Sequence, residues 1–184
     1  MPEGRRPPWE TGEPGAPAVP GQEGTCPPHD DWTEAEKWAW GEIRSGRPAN
    51  FHAKCGGLDP KNAKAWNSAE VRAQRLLRPE FLRAILLNQP WRGALSHTRV
   101  VIFGAYFAKD ICLQGGELPF GIKFSDCRFE GGVRLDGAIV PQNLKFNNCA
   151  IRGDFDIEMA RVRGSVLLEK SMLRGGVKAG GAVV

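Results

Sequence analysis

The sequence predicts a mainly β protein: a β-helix of about four coils, preceded by a small α-helical cap and a disordered, proline-rich N-terminal tail. Three observations predict it. Small residues recur every eleven positions at Ala105, Gly116, Cys127, Ala138, Cys149, Ala160, Ser171 and Ala182. Large apolar residues follow them at fixed offsets: Phe107, Leu118, Phe129, Val140, Ile151, Val162, Leu173 and Val184 two positions on, and Ile111, Ile122, Val133, Leu144, Phe155, Val166 and Val177 six on. A third series stands eight positions on, at Leu113, Phe124, Leu135, Phe146, Ile157 and Leu168, weakening to Ala179. A fixed period carrying short period-2 apolar pairs marks a stacked β-architecture.

The organisation divides into residues 1–31 (tail), 32–93 (helical cap) and 94–184 (coils). The tail holds eight of the fourteen prolines and little to bury, a composition that does not fold by itself. It has no apolar run resembling a secretory signal, and nowhere does the chain approach the ~18 apolar residues of a membrane span. Thr33 and Glu36 form a capping-box pattern opening a helix to about Arg44. Trp38 and Trp40 cannot share a face of that helix, so at least one meets another element. A second helix is expected from Ser68 with Val71, Leu76 and Leu77 inward. Pro79 then kinks it or starts a third, carrying Phe81, Leu82, Ile85 and Leu86. All six tryptophans precede the repeat, as a cap over the first apolar coil requires.

Within each unit, two apolar pairs read as strands separated by corner residues such as Gly131-Gly132, Asp136-Gly137, Gln142-Asn143, Asn147-Asn148 and Gly175-Gly176. Two units supply four strands and four corners in 22 residues, which closes into a square coil, with a three-sided coil left open. Coils stacked at the ordinary ~4.8 Å strand spacing make a rod roughly 20 Å long. Residues 22 apart should then stack: Phe107 under Phe129, Phe124 under Phe146, Cys127 under Cys149. Arg134, Asp156 and Lys178 should form an outward column of alternating charge, and Lys123 should face Lys145. Val184 falls two residues into a unit. The expectation is an apolar end that stacks on a second copy, or the front portion of a longer protein.

The triplets Cys127-Arg128-Phe129, Ala138-Ile139-Val140 and Ala160-Arg161-Val162 resemble the pentapeptide-repeat proteins, whose unit is Ala-(Asp/Asn)-Leu-x-x. That resemblance covers about 90 residues from Ala94 and implies a right-handed quadrilateral β-helix. The middle position is rarely Asp or Asn here, and every second unit has an extra residue, giving eleven instead of ten. The variant with a helical lead-in is similar to pentapeptide-repeat-like proteins of actinobacteria. Some of those are labelled membrane-associated oxidoreductases, a chemistry to which no residue of this chain points. The family's best-known activity is binding gyrase, a topoisomerase, as a mimic of DNA, which requires a strongly acidic surface. Residues 94–184 carry twelve Lys and Arg against nine Asp and Glu, a net of +3, the wrong sign for that mimicry. The cations are interspersed with acids and lack interleaved aromatics, so nucleic-acid binding is not expected either.

Candidate chemistry is sparse. Cys26, His29, His52 and Cys55 form a CxxH…HxxC pattern, the one set with the ligand types of a tetrahedral zinc site, but its order is unusual and its first pair falls in the tail. Cys127 and Cys149 occupy the small inward slot and read as buried soft hydrophobes, while Cys112 points outward. The cysteines fit a reducing cytoplasm. The cluster Asp154, Asp156 and Glu158 reads as solvated wall residues. No phosphate loop, GxGxxG, nucleophile elbow or HExxH occurs, and the repeat has no histidine beyond His97 at its edge. The expectation is therefore a cofactor-free, non-enzymatic scaffold or protein–protein interaction module. Its contact surface is expected on a wall bearing Lys123, Arg134, Lys145 and Lys178, or on an open end near Val166, Leu168, Val177 and Val184.

Overall fold

The computed structural model describes residues 26–95 and 99–184. It is a parallel β-solenoid of about four turns, and the coil is four-sided. Each side is its own parallel sheet, and within the coils adjacent rungs are offset by 22 residues.

The cap comes first. Helix α1 (Glu34–Arg44) begins at Thr33, whose hydroxyl accepts the Glu36 N–H while the Glu36 carboxylate accepts the Thr33 N–H. That carboxylate is fully buried and also receives the Arg78 guanidinium at 2.7 Å, tying the start of α1 to the residue before Pro79. Strand β1 (Ala49–Asn50) follows, then α2 (Phe51–Cys55), a 3-10 turn at Ala63–Trp66, α3 (Ala69–Ala73) and α4 (Pro79–Leu87). Proline at the first turn of α4 sacrifices no helical hydrogen bond. Phe81, Leu82, Ile85 and Leu86 are all fully buried, as their spacing requires.

The helix from Ser68 is shorter than its sequence suggests. It stops after Ala73, and Leu76 instead forms a parallel bridge to Tyr106 while Leu77 is buried. Strand β1 is a second element that periodicity did not reveal; it pairs with β2 (Arg99–Phe103). The cap thus continues two faces of the solenoid with its own backbone. Cap and coils share one continuous core, from Trp32 and Trp40 to Phe155 and Val162. Trp40 is inside and Trp38 packs edge-on against Phe51, so the two tryptophans do part company.

The coils proper hold strands β3 (Tyr106–Phe107), β4 (Ile111–Cys112), β5 (Gly121–Ser125), β6 (Arg128–Phe129), β7 (Val133–Arg134), β8 (Ile139–Val140) and β9 (Leu144–Asn147). They continue through β10 (Ala150–Ile151), β11 (Phe155–Asp156), β12 (Arg161–Val162), β13 (Val166–Leu167), β14 (Met172–Leu173) and β15 (Val177–Lys178). The first face is β1-β2-β5-β9-β13, the second β3-β6-β10-β14, the third β4-β7-β11-β15 and the fourth β8-β12. The fourth face is extended by bridges from Glu117 to Ile139 and from Arg161 to Val183.

Inside, the rings stack as the spacing demands. Phe107 lies on Phe129 at 4.6 Å and 9°, and Phe124 on Phe146 at 5.2 Å. Edge contacts from Phe124 to Phe107 and Phe129 join the two columns. Cys127 and Cys149 are buried free thiols in the small slot. Burial holds the Cys127 thiol well above its ordinary pKa, so it stays protonated, and it donates to the Ser125 carbonyl at 3.2 Å.

One conformational feature explains the eleven-residue period. The residue just before each small slot, at 104, 115, 126, 137, 148, 159, 170 and 181, has φ between 50° and 67°. Each coil therefore turns two of its corners through a left-handed residue, which bends the chain sharply onto the next face without a longer loop. Side chains then stitch neighbouring corners: Asp110 Oδ1 accepts Gly132 N–H, Asp154 Oδ1 accepts Gly176 N–H, and Asn148 Nδ2 donates to Asp126 Oδ1, each bond spanning 22 residues.

Candidate functional site

The residues 26–31 assigned to the tail by composition pack onto the cap. The Cys26 carbonyl accepts Trp40 Nε1 at 3.2 Å and the Arg44 guanidinium at 2.9 Å, and the Pro27 carbonyl accepts Trp91 Nε1. Proline composition missed this because the segment is held mainly by its carbonyls and by ring contacts of His29, with Cys26 its one side chain in the hydrophobic core. The disorder expected of positions 1–25 concerns residues outside those described, as does His97.

The zinc pattern is not assembled. His29 sits among Trp32, Trp91 and Asp31, whereas His52 lies beneath Gly104 beside Arg75. Among the described residues no group of three or more His, Cys, Asp or Glu has the geometry to hold a metal. What does gather near His52 is a buried arginine. Arg75 is 1 % exposed and donates to the carbonyls of Phe51 (3.4 Å), Cys55 (2.8 Å), Gly56 (2.5 Å) and Gly104 (3.3 Å), while its Nε has no partner. It closes the carboxyl end of α2 and fastens that helix to the first corner of the solenoid. Burial lowers the Arg75 pKa from its ordinary value, and burial also lowers that of His52, whose Nε2 is likewise unpartnered.

The four cations expected on one wall stand on two. Lys123 faces Lys145 on the first face, as the spacing predicts, whereas Arg134 and Lys178 stand on the third. The one-wall expectation failed because an offset of eleven residues is half a coil, which carries a side chain to the opposite face. The charge column on the third face has its expected register, Arg134, Asp156, Lys178, but its ion pair is different. Lys178 meets Asp154 at 3.2 Å; the carboxylate raises the Lys178 pKa, while the Gly176 N–H bond and then the Lys178 ammonium lower that of Asp154. Asp156 is not a solvated wall residue either: it is 7 % exposed and accepts the Glu158 N–H at 3.0 Å.

On the second face Glu130 lies between Arg128 and Arg152, each at 2.7 Å. Burial pushes the Glu130 carboxyl up, and the two guanidinium groups outweigh it and leave it below its ordinary value. Cap residues overlie the start of this face, with Trp66 stacked on Tyr106 and the Pro60 carbonyl accepting Arg128 at 2.7 Å.

The first face is left with a shallow groove of about 300 Å³, lined by Arg99, Lys123, Lys145, Gln142 and Asn143 among others. Sequence reasoning found Lys123 and Lys145 but not Arg99, Gln142 or Asn143; stepping back 22 residues from Gly121 would have reached Arg99. At the last coil, Val166 and Leu168 are half-buried while Val177 and Val184 are 58 % and 66 % exposed. Cys112 lies beside a wider, open hollow lined by Pro79, Glu80, Arg83, Lys109 and Asp110, and it donates to Gln114 Oε1 at 3.2 Å.

Comparison with protein-family models, with curated proteins and with solved structures finds no match for this chain. No helix among the described residues is long and apolar enough to cross a membrane.

Proposed function

We propose that this chain is a non-enzymatic scaffold or protein–protein interaction module, built on a β-helix of the pentapeptide-repeat type. The observation that carries this reading is the prebuilt rigidity of its faces. Stacked rings, 22-residue side-chain stitches and a core continuous with the cap fix every coil before any partner arrives. Binding to such a face loses little conformational freedom on the scaffold's side, so modest contacts suffice for useful affinity. Repeat architectures present long flat surfaces for the same reason.

The DNA-mimic alternative needs an acidic rod, and a net of +3 over residues 94–184 argues against it. The exposed Val177, Val183 and Val184 add a second surface, where another copy of this chain would bury apolar groups and pair free strand edges. Sedimentation equilibrium of the wild type against Val177→Asp tests that contact; identical monomer masses at high concentration would remove it. The principal reading is tested by using the chain as bait in cell lysate and weighing what is retained. A foreign polypeptide held in stoichiometric amount is the expected result. Recovery of the bait alone would overturn the scaffold reading.

A further inference from the structure

We propose that the groove on the first face is a docking site for an extended acidic peptide segment of a partner protein, a proposal that rests on the interaction-module reading above. The charges motivate it. Some outward cations meet carboxylates: Arg128 and Arg152 share Glu130, Lys178 meets Asp154, and Arg47 meets Glu42. The groove instead gathers three cations, Arg99, Lys123 and Lys145, with no carboxylate in its lining. No described carboxylate lies within ion-pair distance of Arg99, Lys123 or Lys145, and the Lys123 ammonium stands over the Phe103 ring at 5.6 Å from its centroid.

Lys123 and Lys145 are moreover directly opposed on neighbouring rungs, ~4.8 Å apart along the stack. Like charges so placed destabilise a sheet. An anion lying across the two rungs converts that repulsion into attraction.

The amides fit the same ligand. Asn143, whose Oδ1 accepts the Ser165 N–H at 2.8 Å, lines the groove beside Gln142. Cations and amide donors together line a surface that offers donors to carboxylate oxygens. The shape selects an extended chain over a compact solute, because the groove is shallow and runs over at least two rungs of a flat sheet. An extended strand repeats its side chains every ~6.6 Å on one face, so successive acidic residues reach successive cations through flexible lysine stems. Nucleic acid fits less well, since the groove has three cations and no aromatic platform for bases beyond Phe103.

The test uses the full chain and a short fluorescein-labelled peptide of alternating Glu and Ser, followed by fluorescence anisotropy. Saturable binding is expected, weakened about tenfold or more by Lys123→Gln with Lys145→Gln, the loss of charge-assisted contacts, and unchanged by Arg134→Gln on the third face. An equal loss with Arg134→Gln would mean diffuse attraction and overturn the groove. Tighter binding of a single-stranded oligonucleotide, or displacement of the peptide by inorganic phosphate at lower concentration than by free peptide, would overturn the acidic-peptide assignment. Without ligand, Lys145→Gln should melt at or above the wild-type temperature; a lower value would make the lysines structural and also overturn it. A lysate partner retained equally by wild type and the double lysine variant would sink the groove and leave the scaffold reading standing. Peptide binding with no lysate partner would do the reverse.

Discussion

The left-handed corners provide the most direct test of the fold's energetics. Gly104, Gly115, Gly137 and Gly181 occupy four of the eight positions and accept φ near 60° without penalty. Asp126 and Asn148 are the residue types that tolerate it next best. Met159 and Lys170 are neither, at φ of 57° and 54°. A side chain there costs ~1–2 kcal/mol, and replacing it with glycine gives back ~0.4–1 kcal/mol through the freer unfolded chain. Met159→Gly and Lys170→Gly should therefore each stabilise the protein by about 0.5–1 kcal/mol. For a chain of this length that is roughly 1–4 °C in melting temperature. The reverse changes isolate the backbone term. A Cβ at Gly115 meets nothing within 4 Å, and at Gly137 it makes only ordinary contact with Gly115, Cα at 3.9 Å and N at 4.0 Å, so Gly115→Ala and Gly137→Ala probe φ without a clash. Each should destabilise by a similar amount. Urea and thermal unfolding followed by far-UV circular dichroism report all four. Destabilisation by Met159→Gly together with a neutral or stabilising Gly115→Ala would refute the corner argument.

Three further outcomes are expected. Arg75→Met removes the donor to four carbonyls and leaves several of them buried and unsatisfied, a loss of about 3 kcal/mol or more; a loss below about 1 kcal/mol in urea titration would mean that water replaces the guanidinium. Ellman's reagent should label Cys55 and Cys112 in the native protein but reach Cys26, Cys127 and Cys149 only on unfolding, since the last three are buried and burial raises the pKa of Cys26 and Cys127. Mass mapping of a fast-reacting Cys127 would contradict the buried slot. The depressed His52 pKa means that the unfolded chain binds its proton first, so the contribution of His52 is full above its ordinary 6.5 and is lost as pH falls below it. His52→Gln should flatten the stability profile between about pH 6.5 and 5, while an unchanged slope would place the acid sensitivity elsewhere.

Much of this architecture is legible along the chain because a solenoid is close to one-dimensional. The partner of each residue lies a fixed number of positions away, so Phe107 finds Phe129, and Lys123 finds Lys145, by counting alone. The capping box of α1 and the proline start of α4 are equally local. The cap's attachment was not legible in this way. Ala49 pairs with Ile102 and Leu76 with Tyr106, separations that no period marks. Nor does the sequence reveal that Arg75 would collect carbonyls from α2 and from the distant corner at Gly104, or that Cys26 would hold a tryptophan and an arginine through its backbone.

The same division applies to the candidate site. Periodicity put Lys123 and Lys145 on one outward column, yet the groove beside them is shaped by the Gln142-Asn143 corner and by Arg99 at the start of β2, two rungs away. The sequence by itself determined the period, the inward apolar columns and the stacking register, because these follow from side-chain alternation and a repeated corner. The tertiary structure decided between three and four sides, and which cations find carboxylates. Those outcomes depend on where the corner residues bend the backbone and on which long side chains then come within reach, and neither is encoded in spacing.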